Sequence, residues 1–342
     1  MNNTPDFKLS MQFGIDMYRL SLQFAHFIHL SHTLLNYILA TLDHERNRIL
    51  YNERLNKRLN GSDGMNYVGI DTGRKATKVA GDRIITFPSA VGTARALRLE
   101  SKQDYDVVID GEHLFVGRLA EESLDRREMA SESKLHPETR ALFLTALALE
   151  ANGEPLSITT GAPVAQHTPE NQILFGALVK GSHQVRINGQ EQMLNVEKVN
   201  LVPEGAGAWW HEVLNDQGKI CDQALIRQDV TRIVDLGSRT VNYLTLLEGR
   251  YLDRASGTFN YGCMELEQAE GNPEQLARRI LADLTWCWPD MRRTNLLFLT
   301  GGGALIMRDS FVQAFPSYII ADDPVTANAR GYRKLGMVRA AA

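Results

Sequence analysis

VGIDTGRKATKVAG, residues 68–81, reads as a strand, a tight turn and a returning strand. Val68, Gly69 and Ile70 form the end of a buried strand, and Asp71 stands where that strand stops. Thr72 and Gly73 turn the chain, since glycine tolerates the backbone angles a tight turn imposes. Lys78 then lies on a second apolar run with Val79 and Ala80. A carboxylate, a glycine turn and a lysine so placed form an anion clamp. The turn amides and the ammonium face phosphate oxygens, while the aspartate holds a hydrated magnesium ion. An Asp-Xaa-Gly turn is also an ordinary hairpin in many proteins, so the reading depends on what else the chain carries.

The chain carries the device twice. IVDLGSRTVNYLTL, residues 233–246, has a buried strand end at Ile233 and Val234, a terminating Asp235, a turn at Gly237 and a returning strand from Val241 to Leu246. About half of the chain beyond Met65 separates the two aspartates. Two like hairpins in two halves predict a duplicated architecture with a ligand in the cleft between them, where pockets commonly form. A third element points to a nucleotide. Leu296 to Leu299 is a strand running into Thr300-Gly301-Gly302-Gly303-Ala304, whose glycines let a flat ring or a ribose approach the backbone. A packing role is the alternative for these three glycines. The spacings of the Walker loop and of the GxGxxG fingerprint are both absent.

Composition narrows the class. The chain has 342 residues, 44% of them hydrophobic and 23% charged, which predicts a folded core in one large or two medium domains. A formal net charge of −4 argues against broad electrostatic binding of nucleic acid by the monomer. Cys221, Cys263 and Cys287 are odd in number and lack metal-ligand spacing, as expected of reduced thiols in the cytoplasm.

Residues 1–64 differ from the rest. From Leu20 to Leu42 there is no Asp, Glu, Lys or Arg, yet Gln23, His26, His29, Ser31, His32, Asn36 and Thr41 are too polar for a lipid-facing helix. The stretch also lacks the cleavage pattern of a secretory signal. The three histidines share a helix side, but no Asp, Glu or Cys joins them as a metal set. Arg46 to Arg58 forms a charged helical face, and Gly61-Ser62-Asp63-Gly64 is a linker. This segment is expected to be a helical extension dispensable for the main fold, or the product of an upstream start.

Beyond Met65 the rhythm is strand-rich. Asp110-Gly111 and Asn188-Gly189 are hairpin signals between strands. Helices are expected over 137–151 and from Glu170 to Lys180, and another opens at Asn272-Pro273. Val199 to Val202 is a strand ending at Pro203-Glu204-Gly205. Asp323 and Pro324 open a last helix, with Ala327, Asn328, Ala329 and Gly331 as a small-residue face suited to close packing under the cleft.

Together these stretches resemble the actin, sugar kinase and heat-shock chaperone superfamily. Asp71-Xaa-Gly73 with Lys78 resembles its first phosphate hairpin, and Asp235-Leu236-Gly237 with Thr240 its second. VPEGAGAWW at 202–210 resembles the first connection, LTGGGAL at 299–305 the adenosine motif, and ANARGY at 327–332 the second connection. GEHLFVGRLA at 111–120, TTGAPV at 159–164 and PEGAGA at 203–208 are most similar to bacterial actin-like proteins of the ParM type. The resemblance covers about residues 66–339. It implies an α/β actin-like ATPase fold, with two duplicated RNase H-like domains around a nucleotide cleft. The expected domains are 65–210 and 211–322, with 323–342 a connecting helix returning to the first.

The resemblance also implies roles. Asp71 and Asp235 would hold Mg²⁺ through water. Thr72, Gly73, Lys75, Lys78, Gly237, Ser238, Thr240 and Gly301 to Gly303, including Gly302, would contact ATP or GTP. Glu204 would orient the attacking water, although a carboxylate favoured at a helix N-terminus is the plainer alternative. Two departures stand out: Arg74 and Lys75 make the first loop unusually basic, and Asn242 stands where many relatives carry Asp, which touches hydrolysis more than binding. The implied function is a cytoplasmic ATPase that forms filaments of itself and segregates plasmid or similar DNA through a DNA-binding adaptor. A small-molecule kinase and a non-polymerising scaffold are the alternatives. Trp209 and Trp210 read equally as a filament contact or as buried core.

Overall fold

Each Asp-Gly hairpin is the root of its own β-sheet in the computed structural model, which describes residues 64–95, 105–123, 126–127, 134–268, 271–315 and 317–341. Strand β1 (Asn66–Thr72) is buried at every position but one, as its apolar run requires. It turns at Gly73 into antiparallel β2 (Ala76–Ala80), with Asp71 opposite Lys78, and β2 pairs with β3 (Ile84–Pro88). Next come β4 (Val91–Thr93), β5 (Tyr105–Ile109), β6 (Glu112–Val116), the short helix α1 (Arg118–Glu121) and β7 (Arg126–Arg127). Helix α2 (Pro137–Glu150) starts with proline at a position that needs no amide donor. It leads to β8 (Leu156–Ala162), parallel to β1 and buried throughout, as a strand covered on both faces must be. Helix α3 (Pro169–Val179), β9 (Gly181–Ile187) and β10 (Gln190–Pro203) complete a ten-stranded sheet in the order β3-β2-β1-β8-β10-β9-β5-β6-β4-β7.

The second sheet repeats the opening of the first. Helices α4 (Ala206–Val213) and α5 (Gln223–Ile226) lead into β11 (Val230–Leu236), which turns at Gly237 into antiparallel β12 (Val241–Leu247), with Asp235 opposite Asn242. After β13 (Arg250–Tyr251), β14 (Gly257–Phe259), α6 (Met264–Gln268) and α7 (Pro273–Cys287), β15 (Leu296–Thr300) lies parallel to β11. Helix α8 (Arg308–Ala314) and β16 (Tyr318–Ile320) close the sheet in the order β13-β12-β11-β15-β16, with β14 also on β12. The expected α/β arrangement, two sheets each rooted in an Asp-Gly hairpin, is therefore the one observed.

The last helix, α9 (Ala327–Ala341), returns to pack on β1, β8 and α4. Its small residues make this contact possible. A Cβ on Gly331 would stand 1.7 Å from the carbonyl oxygen of Gly207, so only glycine allows the two helices to cross this closely. One apolar cluster lies between α2 and the first sheet, a second joins α4, α9 and the second sheet, and a third lies between that sheet and helices α7 and α8.

Some local expectations change. Val199 to Val202 is the end of the 14-residue β10, which absorbs a bulge between Val196 and Lys198 instead of breaking. The last helix begins at Ala327, because Asp323 adopts φ 45° and Thr326 Oγ1 bonds back to its carboxylate. A third tight hairpin, Glu248-Gly249 with φ 48° and 73°, had no Asn or Asp to announce it. Trp209 is core, edge-on to Phe298 at 5.6 Å. Among the described residues, no helix is long and apolar enough to cross a membrane. The readings of residues 1–63, the histidine row included, lie outside the described residues.

Candidate functional site

The two hairpins face each other across a cavity of about 580 Å³. Asp71, Gly73, Lys75 and Lys78 line it from the first sheet, and Asp235, Gly237, Ser238 and Thr240 from the second, with Glu204, Gly301 and Gly302. Two expected contact residues stand back from the wall. Side chains alternate along a strand, so Asp71 pointing into the cleft sends Thr72 the other way, into burial. Gly303 is a packing glycine: its amide donates to the Leu236 carbonyl at 3.0 Å, and a Cβ there would stand 2.4 Å from Cys263 Sγ. Gly301 is required by its backbone, with φ 85°, and by Asp235, whose Oδ1 lies 2.4 Å from where a Cβ would be.

Charge is unevenly distributed. Lys78 Nζ donates to Asp71 Oδ2 at 3.1 Å across the first hairpin. Burial opposes the ammonium charge, but the carboxylates of Asp71, Asp235 and Glu204 outweigh it and raise the Lys78 pKa above its ordinary value. Among the described residues Asp235 has no ion-pair partner. Burial, followed by the neighbouring Glu204 and Asp71 charges, pushes its pKa up to about 7, against a hydrogen bond from Asn328 and the attraction of Lys78. Asn328 Nδ2 donates to Asp235 Oδ2 at 2.8 Å, while its Oδ1 accepts the amides of Gly205 and Ala208 at the start of α4. One amide thus ties α9, the first connection and the second hairpin together.

Glu204 follows β10 and is buried. Its carboxylate pairs with Lys134 through Oε1 and accepts from Asn242 Nδ2 at 2.8 Å through Oε2. It is therefore a cleft group held by side chains and not merely a helix-terminal charge. Lys75 meets Glu267 on the opposite side of the cleft at 2.7 Å, both exposed. Sequence reasoning missed Lys134, Asn328 and Thr258, which reach the cavity only through the fold. Among the described residues, no three His, Cys, Asp or Glu side chains gather as a direct ligand set.

Residues 69–207 match a family model described as the N-terminal domain of actin like proteins. Among solved structures, the apo pSK41 ParM protein superposes with a TM-score of 0.68 at 21% identity, over 82% of this chain and 99% of that one. A ParM filament from Clostridium botulinum gives 0.65 at 18%, over 80% and 99%. The archaeal actin homologue Ta0583 in complex with ADP gives 0.64 at 20%, over 78% and 97%. No curated protein matches the chain in sequence. Over residues 69–207 the chain is thus similar in sequence to the N-terminal domain of actin like proteins, and it shares the fold of ParM.

Proposed function

We propose that this chain, an actin-like protein by fold, is an ATPase whose nucleotide-bound form assembles into filaments that segregate plasmid or similar DNA through a separate DNA-binding adaptor. The observation that carries the reading is the facing of two Asp-Gly hairpins across one cavity, with Lys78 between their carboxylates. In this reading residues 65–210 and 211–322 are the two domains, and 323–342 is the connecting helix. The filament and the ADP complex among the similar structures support assembly and nucleotide binding. Three free cysteines support a cytoplasmic setting.

The donor set suits a magnesium nucleotide. Asp235, buried and crowded by the charges of Glu204 and Asp71, would be favoured in its ionised form by a cation, and Asp71 opposite it supplies the second anionic oxygen donor. Bound magnesium would supply positive charge to the phosphate oxygens. Lys78 and the turn amides of Gly73 and of Ser238 to Thr240 bind those oxygens, the Gly237 amide being given to the Thr240 carbonyl, and Gly301 and Gly302 admit the nucleoside. A second cavity of about 490 Å³ between α7 and α8, lined by Arg278 and Ile306, suits the base, whether of ATP or GTP. Glu204 orients the attacking water by a single hydrogen bond. Loss of the terminal phosphate removes contacts that favour the assembled state.

Pelleting and light scattering of the full chain with Mg-ATP, Mg-GTP, a non-hydrolysable analogue and no nucleotide test this. Assembly with nucleotide that persists with the analogue is expected. Nucleotide binding without assembly over a wide concentration range overturns the filament reading in favour of a scaffold or a small-molecule kinase.

A further inference from the structure

Glu204 is gripped from both sides of the cleft, by a lysine that no phosphate or connection motif contains and by the asparagine of the second hairpin. Lys134 comes from the segment before α2, and its side chain is only 8% exposed. It pairs with Glu204 Oε1 and also donates to the carbonyl of Gly161 at 3.4 Å. Asn242 comes from β12 in the other sheet. Its Oδ1 accepts from the amide of Val164 at 3.0 Å and from Thr258 Oγ1 at 2.7 Å. A backbone amide can only donate, so Asn242 Oδ1 must face Val164 and Nδ2 must face Glu204. Thr258 Oγ1 in turn accepts the Ala165 amide at 3.1 Å.

We infer that Lys134 and Asn242 are positioning residues for hydrolysis, which fix the plane of the Glu204 carboxylate and offset its charge. The inference rests on the reading of Glu204 as the group that orients water. Each carboxylate oxygen accepts one of the two bonds and keeps a second lone pair for water. Aspartate at 242 would keep the acceptor for Val164 but offer Glu204 no donor, placing carboxylate against carboxylate. Asparagine here therefore does two things with two ends: the oxygen joins β12 to the turn after β8, and the nitrogen sets Glu204.

The test uses the full chain and the variants Glu204→Gln, Lys134→Met, Lys134→Arg, Asn242→Asp and Asn242→Ala, with kcat and KM for ATP and GTP and the affinity for a non-hydrolysable analogue. Misplacing a reacting group by about 1 Å costs about a hundredfold in rate. Lys134→Met and Asn242→Asp are therefore expected to lose about that much in kcat while analogue affinity stays within about threefold. Lys134→Arg is expected to recover most of the rate. Nucleotide-free melting gives a second readout. Lys134→Met and Glu204→Gln should each lower the melting temperature, and the double variant should regain most of the loss, because breaking a buried pair is worse than removing it whole.

If Glu204→Gln abolishes turnover while Lys134→Met and Asn242→Asp turn over within about twofold of the parent, the positioning role is wrong and the hydrolysis reading stands. Additive melting shifts, or losses of affinity with kcat intact, also overturn it. If the parent does not hydrolyse either nucleotide, or Glu204→Gln is fully active, the hydrolysis reading fails and takes this inference with it.

Discussion

The hairpin at Asp71 and the hairpin at Asp235 share a register and differ in how their charge is balanced. In both, the aspartate sits near the end of a buried parallel strand and faces the seventh residue along the chain on the returning strand. That residue is Lys78 in the first hairpin, close enough for a direct ion pair. It is Asn242 in the second, and its amide is turned to Glu204 and Val164. The first hairpin carries its own cation. The second borrows one hydrogen bond from Asn328, and its aspartate is left with a pKa near 7. A duplicated backbone thus presents a balanced wall and an electron-rich one, and a cation entering the cleft gains most from the second.

Removing the first hairpin's cation tests this most severely. Lys78→Met leaves Asp71, Asp235 and Glu204 facing one another with one ammonium fewer, next to where phosphates would enter. Loss of one partner of a largely buried pair costs about 3 kcal/mol or more. Nucleotide affinity, followed with a fluorescent analogue, should fall by about a hundredfold or more. A change of only a few-fold would mean that the first hairpin does not hold phosphate.

Asn328→Ala removes the side-chain hydrogen bond to Asp235 and should cost about 2–3 kcal/mol in denaturant unfolding without nucleotide, since it strands two amides at the start of α4 and one carboxylate. A loss below about 0.5 kcal/mol would mean that these groups find water instead. Because α9 carries this residue, the same variant should also loosen nucleotide binding.

The pH dependence separates the two aspartates more directly. The Asp235 pKa is raised from 3.8 to about 7, so between these values the folded chain holds a proton that the unfolded chain has released. This group's contribution is present in full below about pH 4 and is lost as pH rises through 7. Apo stability should therefore fall by about 3 kcal/mol from pH 5 to pH 8, and Asp235→Asn should flatten that part of the curve. A magnesium nucleotide, by favouring the ionised carboxylate, should flatten it as well. A slope that survives Asp235→Asn would assign the effect to another buried group, with Glu150, also raised by burial, the next to test.

The halves of this comparison were not equally legible. Strand, aspartate, glycine and returning strand are local, so both hairpins could be read from consecutive residues, and so could the Lys78 offset. Asn188-Gly189 and Asp110-Gly111 were legible for the same reason: both pairs adopt the positive φ their residue types favour. Lys134 was not legible, since nothing around it marks a partner seventy residues away. Asn328 was visible only as one of several small residues, because a capping bond to Gly205 exists only after α9 has folded back on α4. Thr72 and Gly303 were named for the ligand by adjacency in a motif, and the structure places both outside the cavity lining, one by strand alternation and the other against a packed thiol.

The smallest expected effect lies at the mouth of the cleft. Lys75, in the turn of the first hairpin, and Glu267, in α6 beside the second, make an exposed ion pair between the two walls, with side chains 74% and 58% exposed. Water and salt screen such a pair, and two long side chains lose freedom to form it, so its contribution is about 0.5 kcal/mol or less. Lys75→Ala and Glu267→Ala should each leave apo melting unchanged within error. Their difference should appear only with ligand. Lys75→Ala removes a positive charge from a phosphate site and should weaken nucleotide binding several-fold in low salt, an effect that fades as salt is raised. Glu267→Ala frees Lys75 and should tighten binding slightly, if at all. Equal losses from both substitutions, insensitive to salt, would show that the pair acts as a clasp between the walls, and the first hairpin's basic loop would then owe its charge to closure and not to phosphate.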